Sequence, residues 1–446
     1  MRKKFSSYVI PSVLSMLVFS IYSMVDGLFV AKGVGENALA AVNISMPFVN
    51  GAFALAIVFA VGTSTIAAIS LGNKEESTAN HVFTMNMVVL IILGLSVTTI
   101  ALLNLEKLAY FLGATKSTIT YVKEYLGILS AFTLLPMLSY YFEVLIKVDG
   151  YPKLATFGVC MAAITNIVLD YVFVIKLGYG VKGAAIATVM SQAISTGFFL
   201  YHFLFKSTRI KFIPFKFDLS IIKRTLPIGV SDFITEFSIS FTIFLFNRTI
   251  LKYVGETGIV TYTVIMYLNN IVLMVMTGIS QGIQPLVSYN YGKEDKKSLK
   301  FYLKRAFKTV GVSSILIYAS CLIFTKEIIG LFIHNTEVEL FNFSVKAMRW
   351  YSPAYLIVGF NIVLSGFYAA IERPIYSMLI STGRGFIVIT ASLYAMISLI
   401  GAKGIWLSAF VSEVICLIMA ILISMRFFYG EMFDNIFEKE PLGDYD

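Results

Sequence analysis

A carboxylate in an apolar stretch is chemically conspicuous, because a charge near the centre of a bilayer costs about 2.5–3.5 kcal/mol on insertion scales. Two such residues stand in the first half of this chain. Asp26 lies in Ser20-Ile-Tyr-Ser-Met-Val-Asp-Gly27, fifteen residues beyond Pro11, which is about 22 Å of helical travel. Asp170 closes Asn166-Ile-Val-Leu-Asp170, whose i,i+4 spacing sets an amide and a carboxylate on one helical face. Thr188 follows in the small-residue segment Gly183-Ala-Ala-Ile-Ala-Thr188, where a neighbouring helix can come close. Oxygens of these types from three helices suit a hard cation and equally suit a proton. Asp26, Asn166, Asp170 and Thr188 are therefore a candidate site for H⁺ or Na⁺.

The second half holds no copy of this set, since Leu364, Tyr376 and Ser392 occupy roughly corresponding regions. Ion binding is expected in the first half. Asp232 and Glu236, again i,i+4, could attract a cationic substrate or bind ions themselves. Glu143 and Glu413 could do likewise or, lying nearer the helix ends, be solvated, and Arg384 is the one strong base within an apolar segment. With 18 Met, 38 Phe and 25 Tyr, the chain can line a pliable aromatic cavity for flat cations.

The elements that must position these residues are membrane helices. Of 446 residues 58% are hydrophobic and 14% charged, and apolar runs long enough to cross a bilayer recur along the chain. The runs are continuous rather than alternating, which favours helices over a barrel. The expected fold is an all-α membrane protein of twelve transmembrane helices, near 8–31, 43–71, 81–103, 120–147, 152–176, 182–206, 221–251, 260–290, 300–325, 345–371, 374–398 and 402–428. The polar interruption from Lys206 to Arg224 divides it into an N-terminal six-helix lobe (1–206), a linker (207–224), a C-terminal six-helix lobe (225–428) and a tail (429–446).

Basic residues concentrate in 206–224 and from Lys293 to Lys308, so the positive-inside rule puts both termini, the linker and the tail in the cytoplasm. Those loops account for the net charge of +9 without a nucleic-acid partner. The opening Met1-Arg-Lys-Lys4 and its apolar run imitate a signal peptide but lack a small-x-small cleavage site, so a retained first helix is expected. Cys160, Cys321 and Cys416 all fall in apolar stretches with no CxxC pair, as packing residues would.

The second half repeats the first at an offset of about 220 residues. Val34-Gly35-Glu36 recurs as Val254-Gly255-Glu256, and the Gly62 to Gly72 spacing recurs as Gly282 to Gly292. Tyr151-Pro152 matches Arg373-Pro374, and Gly180-Val-Lys-Gly183 matches Gly401-Ala-Lys-Gly404. Six helices per copy return the chain to the same face, so the two bundles are expected to be related by a pseudo-two-fold axis along the membrane normal. A central cavity between them can open to either side as the lobes rock.

No GxxxxGK[ST] run is present, which leaves an ion gradient rather than nucleotide as the energy source. HExxH and GxSxG are absent, and His81, His202 and His334 are far apart, so neither an enzyme nor a cofactor is expected.

Taken together, the two six-helix halves, Pro11 with Val25-Asp26-Gly27, Asn166-x-x-x-Asp170 and Gly282-Ile-Gln-Pro-Leu-Val-Ser-Tyr-Asn-Tyr-Gly292 resemble the multidrug and toxic compound extrusion (MATE) family over essentially the whole chain. The chain looks closest to its prokaryotic DinF-like and MepA-like branch. That resemblance implies ion coupling at Asp26, Asn166, Asp170 and Thr188, and bending of helix one at Pro11 when the aspartate is protonated. It implies a monomeric multidrug antiporter of the plasma membrane, exporting organic cations in exchange for H⁺ or Na⁺ by alternating access. Other branches use acids in helices seven and ten. Here Glu236 is present but Ala354 to Tyr368 has no acid, a departure that favours the N-terminal lobe. The competing expectation is a flippase for a lipid-linked oligosaccharide precursor, which should line its cavity with several Arg or Lys.

Overall fold

The computed structural model describes residues 1–34, 36–333 and 338–427. Gly35 of the first repeat phrase, His334 and the expected tail 429–446 lie outside the described residues. Among the described residues there is no strand. Eleven helices among the described residues are long and apolar enough to cross a membrane, and a bent pair, taken as one span, makes twelve. In lipid each span must satisfy its own backbone, so helices are the expected solution for runs of this length.

Spans one to three are Arg2–Gly33, Glu36–Gly72 and Glu76–Leu103. Span four consists of Ile119–Ala131 and Leu134–Asp149, span five of Pro152–Lys176, and span six of Gly180–Phe205. The second bundle follows as span seven Leu219–Tyr253, span eight Glu256–Gly292 and span nine Lys296–Ile323. Spans ten, eleven and twelve are Val338–Ala370, Pro374–Ile400 and Lys403–Phe427. Their edges have local causes. Pro152 and Pro374 open spans five and eleven, where the missing N–H is not needed. Asp218 and Asp295 cap spans seven and nine by accepting from the backbone N–H of Ser220 at 2.8 Å and Ser298 at 2.9 Å.

Several expected boundaries change, span one starting at Arg2 rather than near 8 and span two at Glu36 rather than near 43. Span four, expected as one helix over 120–147, is broken after Ala131 and bent by 48°. Pro136 cannot donate an N–H to the carbonyl of Phe132, and the Thr133 hydroxyl takes the carbonyls of Leu129 at 3.0 Å and Ser130 at 3.1 Å, which ends the first ladder. Span ten starts at Val338 rather than near 345, and tightens to a 3₁₀ turn at Ser352–Leu356 around Pro353. Span one runs as a single helix through Pro11, whose carbonyl accepts from the Thr156 hydroxyl of span five at 2.8 Å.

The internal repeat is also written into the backbone. Positive φ at Lys74, Gly150 and Gly180 recurs at Glu294, Glu372 and Gly401. The turn after span two, with Glu75 N–H donating to the Ser70 carbonyl, is copied after span eight by Asp295 N–H and the Asn290 carbonyl. Short helices follow spans three and nine, Leu105–Phe111 and Thr325–Gly330. Two pseudo-two-fold-related bundles of six spans result.

The bundles meet where span one packs on span eight and span two on spans seven and eight. The repeated glycines lie in this seam. At Gly72 the backbone of Tyr289 comes so close that a Cβ would overlap its carbonyl, and at Gly292 the Ile69 carbonyl does the same. Those four residues form a two-fold exchange between the copies. Gly62 faces Thr225 of span seven, Gly229 faces the Val58 backbone, and Gly282 faces Val9 of span one. Asn86 of span three donates to Thr63 at 2.8 Å and to Thr225 of the other lobe at 2.9 Å. All of these contacts lie in the half of the bundle nearest the 72–76 and 292–296 turns, so the lobes are closed together at that end.

The segment 207–218 has no regular helix or strand and is stitched to the first lobe. Asp149 accepts from Arg209 N–H at 2.9 Å and Ile210 N–H at 3.0 Å, and pairs with His202 Nε2 at 2.8 Å. Asn80 accepts from Lys211 N–H at 2.7 Å.

Candidate functional site

The first lobe brings together three of the four residues singled out for ion chemistry, with the fourth at its margin. Asp26 descends from span one and Asp170 ends the regular α-helix of span five, and their carboxyl groups lie within hydrogen-bonding reach of one another. Immediately after Asp170 the helix widens into a π segment, Tyr171–Lys176. Span one passes it at Gly33, where a Cβ would collide with Val174. π segments are rare and concentrate at functional positions. Asn166 lies one turn before Asp170, fully buried, and its amide is 3.5 Å from the Thr188 hydroxyl, a contact at the outer limit of a hydrogen bond.

Among the described residues, four buried oxygens in this cluster have no protein donor: Asp26 Oδ1, Asn166 Oδ1 and both carboxylate oxygens of Asp170. Leaving a buried acceptor unmade costs about 1–3 kcal/mol each, more when the group is charged. A proton shared across the carboxyl pair, or a cation placed among the four oxygens, removes that cost. The donor set is oxygen only, as a hard monovalent cation requires. No group of three or more His, Cys, Asp or Glu side chains able to hold a metal occurs among the described residues. An all-oxygen set of this kind could hold H⁺ or Na⁺.

Tyr125 was not indicated by the sequence. It comes from the first half of span four, is 2% exposed, and stands close enough to Asp26 and Asp170 for their charges to act on its hydroxyl. Nothing in its local sequence distinguishes it from other membrane tyrosines. The break after Ala131 decides where the first half of span four, and Tyr125 with it, points.

The second lobe holds a chamber with about 540 Å³ of atom-free space, counting its open side. Asp232 and Glu236 of span seven line it, facing Gln281 and Gln284 of span eight, Asn361 of span ten and Arg384 of span eleven. Tyr140 and Ile57 of the first lobe complete the wall, so the chamber reaches the lobe seam. Glu236 is an exposed side chain in the middle of a membrane helix because it borders this space.

Of the two alternatives for Glu143 and Glu413, solvation does not hold, for both are buried and paired, Glu143 near the end of its helix at Asp149. Glu143 meets Lys147 at 2.9 Å, one turn on in span four. Glu413 meets Arg384 Nε at 2.8 Å and accepts from the Asn361 amide at 2.7 Å. Both carboxylates are buried, and a charge held inside a membrane bundle needs a partner. Arg384 sits in the second π segment, Gly383–Ile387, where Gly385 lets span seven approach at Ser238. Glu413→Ala would leave the guanidinium unpaired in the protein interior and is expected to destabilise the fold by about 3–5 kcal/mol. Thermal unfolding in detergent checks this, and an unchanged midpoint would mean that Arg384 is not held by the pair.

Two six-helix bundles about a pseudo-two-fold axis, with an oxygen-lined pocket in one and an acid-lined chamber at their seam, define a two-lobe membrane transporter. The chain belongs to the MatE family, whose model matches residues 11–172 and 232–396. It is 24% identical over 427 residues to the multidrug export protein MepA of Staphylococcus haemolyticus (strain JCSC1435), covering 94% of this chain and 92% of that one. The MepA of Staphylococcus aureus (strain bovine RF122 / ET3-1) is 23% identical over 425 residues, with 94% and 93% covered. The fold is shared with a solved multidrug resistance MATE family transporter of the MOP superfamily in an outward-facing conformation, at a TM-score of 0.89 and 23% identity over 95% of both chains.

Proposed function

We propose that this chain is a multidrug efflux antiporter that exports organic cations in exchange for H⁺ or Na⁺. The observation that carries the proposal is the set of four buried oxygens without donors at Asp26, Asn166 and Asp170. A proton or cation entering such a set relieves the cost of its unmet acceptors, and it lies in the lobe opposite the acid-lined chamber. Ion and substrate then act on separate lobes, coupled through the seam. The names of the MepA relatives support a drug-like substrate.

The positive-inside rule places the basic 206–224 and 293–308 loops in the cytoplasm. On that orientation the closed end of the seam is cytoplasmic and the conformation is outward-facing. Ion binding from outside at Asp26 and Asp170 then drives release of a cation from the chamber. Uptake of a fluorescent aromatic cation into inverted vesicles, under a pH gradient or a sodium gradient imposed separately, tests the scheme. Uptake driven by neither gradient would exclude it.

A cationic substrate in the chamber is expected to be held by Asp232 and Glu236. Glu236→Gln should raise the concentration for half-maximal uptake about tenfold, the factor for about 1.4 kcal/mol of lost charge attraction. Equal half-saturation for the variant and the parent would move the substrate elsewhere. A lipid-linked pyrophosphate fits the chamber poorly, since its one arginine, Arg384, is already paired with Glu413.

A further inference from the structure

Three cationic side chains from three separate parts of the chain surround one aromatic ring at the closed end of the seam. Lys4 of span one, Arg209 of the 207–218 segment and Lys293 of the turn after span eight lie 5.3, 5.9 and 5.4 Å from the centre of the Tyr289 ring. All three are exposed, and among the described residues none takes part in an ion pair. The carboxylates nearby are engaged elsewhere. Asp149 is filled by His202 and the N–H groups of Arg209 and Ile210. Asp295 holds the N–H and hydroxyl of Ser298. Glu294, next in the chain to Lys293, pairs with none of the three.

An aromatic ring offers each cation only part of what an anion would, about 0.5–1 kcal/mol at an exposed position. Three like charges crowded at one ring repel each other until an anion sits among them. The position adds a second constraint. Lys4 opens a membrane span and Lys293 follows the end of another, so the cluster lies at headgroup level, where basic pockets between helices bind anionic lipid.

We propose that Lys4, Arg209 and Lys293 form a phosphate-binding site, for an anionic phospholipid headgroup or a free phosphate, that exists only while the lobes are closed at this end. Lys4 belongs to the first lobe and Lys293 to the second, and the Tyr289 carbonyl lies against Gly72 across the seam. Parting the lobes divides the site. A ligand that binds one conformer better than the other shifts the population towards it, so phosphate binding favours the closed end.

The test is calorimetric titration of the purified full chain in neutral detergent, with phosphatidylglycerol in one arm and inorganic phosphate in the other. Each basic residue near an anionic surface contributes about fivefold to binding, so the triple variant Lys4→Gln, Arg209→Gln, Lys293→Gln should bind on the order of a hundredfold more weakly. Charge-preserving Lys4→Arg with Lys293→Arg should bind as the parent does. So should Lys300→Gln with Lys304→Gln and Lys308→Gln, which removes equal charge away from the ring, and both controls show whether the variants remain folded. Binding in the lipid arm alone assigns a headgroup, and equal binding in both arms assigns a free phosphate. Equal affinity of the parent and the Lys4, Arg209, Lys293 variant, or equal weakening by the Lys300, Lys304, Lys308 variant, would overturn the site. Binding that appears only after deletion of 429–446 would give the cluster to the chain's own acidic tail and overturn it too.

Discussion

Asp26→Asn is expected to reduce ion-driven export about 10- to 100-fold, the factor that follows from losing an interaction with a charged group worth about 1.5–3 kcal/mol. The substitution keeps shape and volume but removes the group that can bind a proton or neutralise a cation. It also replaces an acceptor by an amide that can donate to Asp170, so the pocket stays satisfied and the fold should survive. Vesicle uptake under an imposed gradient measures the first effect, and elution as a single species in detergent checks the second. Asp170→Asn should behave alike. Because the two carboxyls act as one unit, the double variant should be scarcely worse than either single one. Normal gradient-driven export by Asp26→Asn would remove the pair from the coupling step.

The other large effect concerns the seam. Gly229 of span seven packs so closely on span two that an added Cβ would fall onto the main chain of Val58 at its carbonyl and Cα. Backbone cannot rotate aside as a side chain can. Overpacking of this kind costs about 1–3 kcal/mol, which shifts a two-state equilibrium about 5- to 150-fold away from the closed arrangement. Gly229→Val is therefore expected to leave substrate binding near normal and to slow turnover more than tenfold. Equilibrium binding of a fluorescent cation and transport rate, measured on the same preparation, separate the two. Gly197→Val, at a position where a Cβ meets nothing within 4 Å, should transport as the parent does. Full turnover by Gly229→Val would show that transport does not require closure at this point.

Much of the architecture follows from local signals. Apolar length, the proline openings of spans five and eleven and the polar break after Phe205 are each settled within a few residues, which is why twelve spans in two bundles are legible without coordinates. The glycine spacing 62 to 72 and 282 to 292 is legible as a repeat, but its purpose is not. Only the packed lobes show that these glycines let main chains touch across the seam. The break in span four is a cooperative result of Thr133 and Pro136, and propensity alone does not distinguish it from a tolerated membrane proline.

The candidate ion site divides the same way. Asp26 and Asp170 are conspicuous in sequence because the cost of burying a carboxylate in lipid is a property of the residue and its apolar neighbourhood. That the two carboxyls come together, that Tyr125 is buried near both, and that Glu413 is paired with Arg384 depend on helices apart in the chain. The amino-acid sequence determined that these charges are costly and that a repeated bundle must carry them. Which of them find a partner, and which remain open to an ion or a substrate, was decided by the packing of the spans, because Coulombic and hydrogen-bonding terms depend on distances of a few ångströms that no linear spacing specifies.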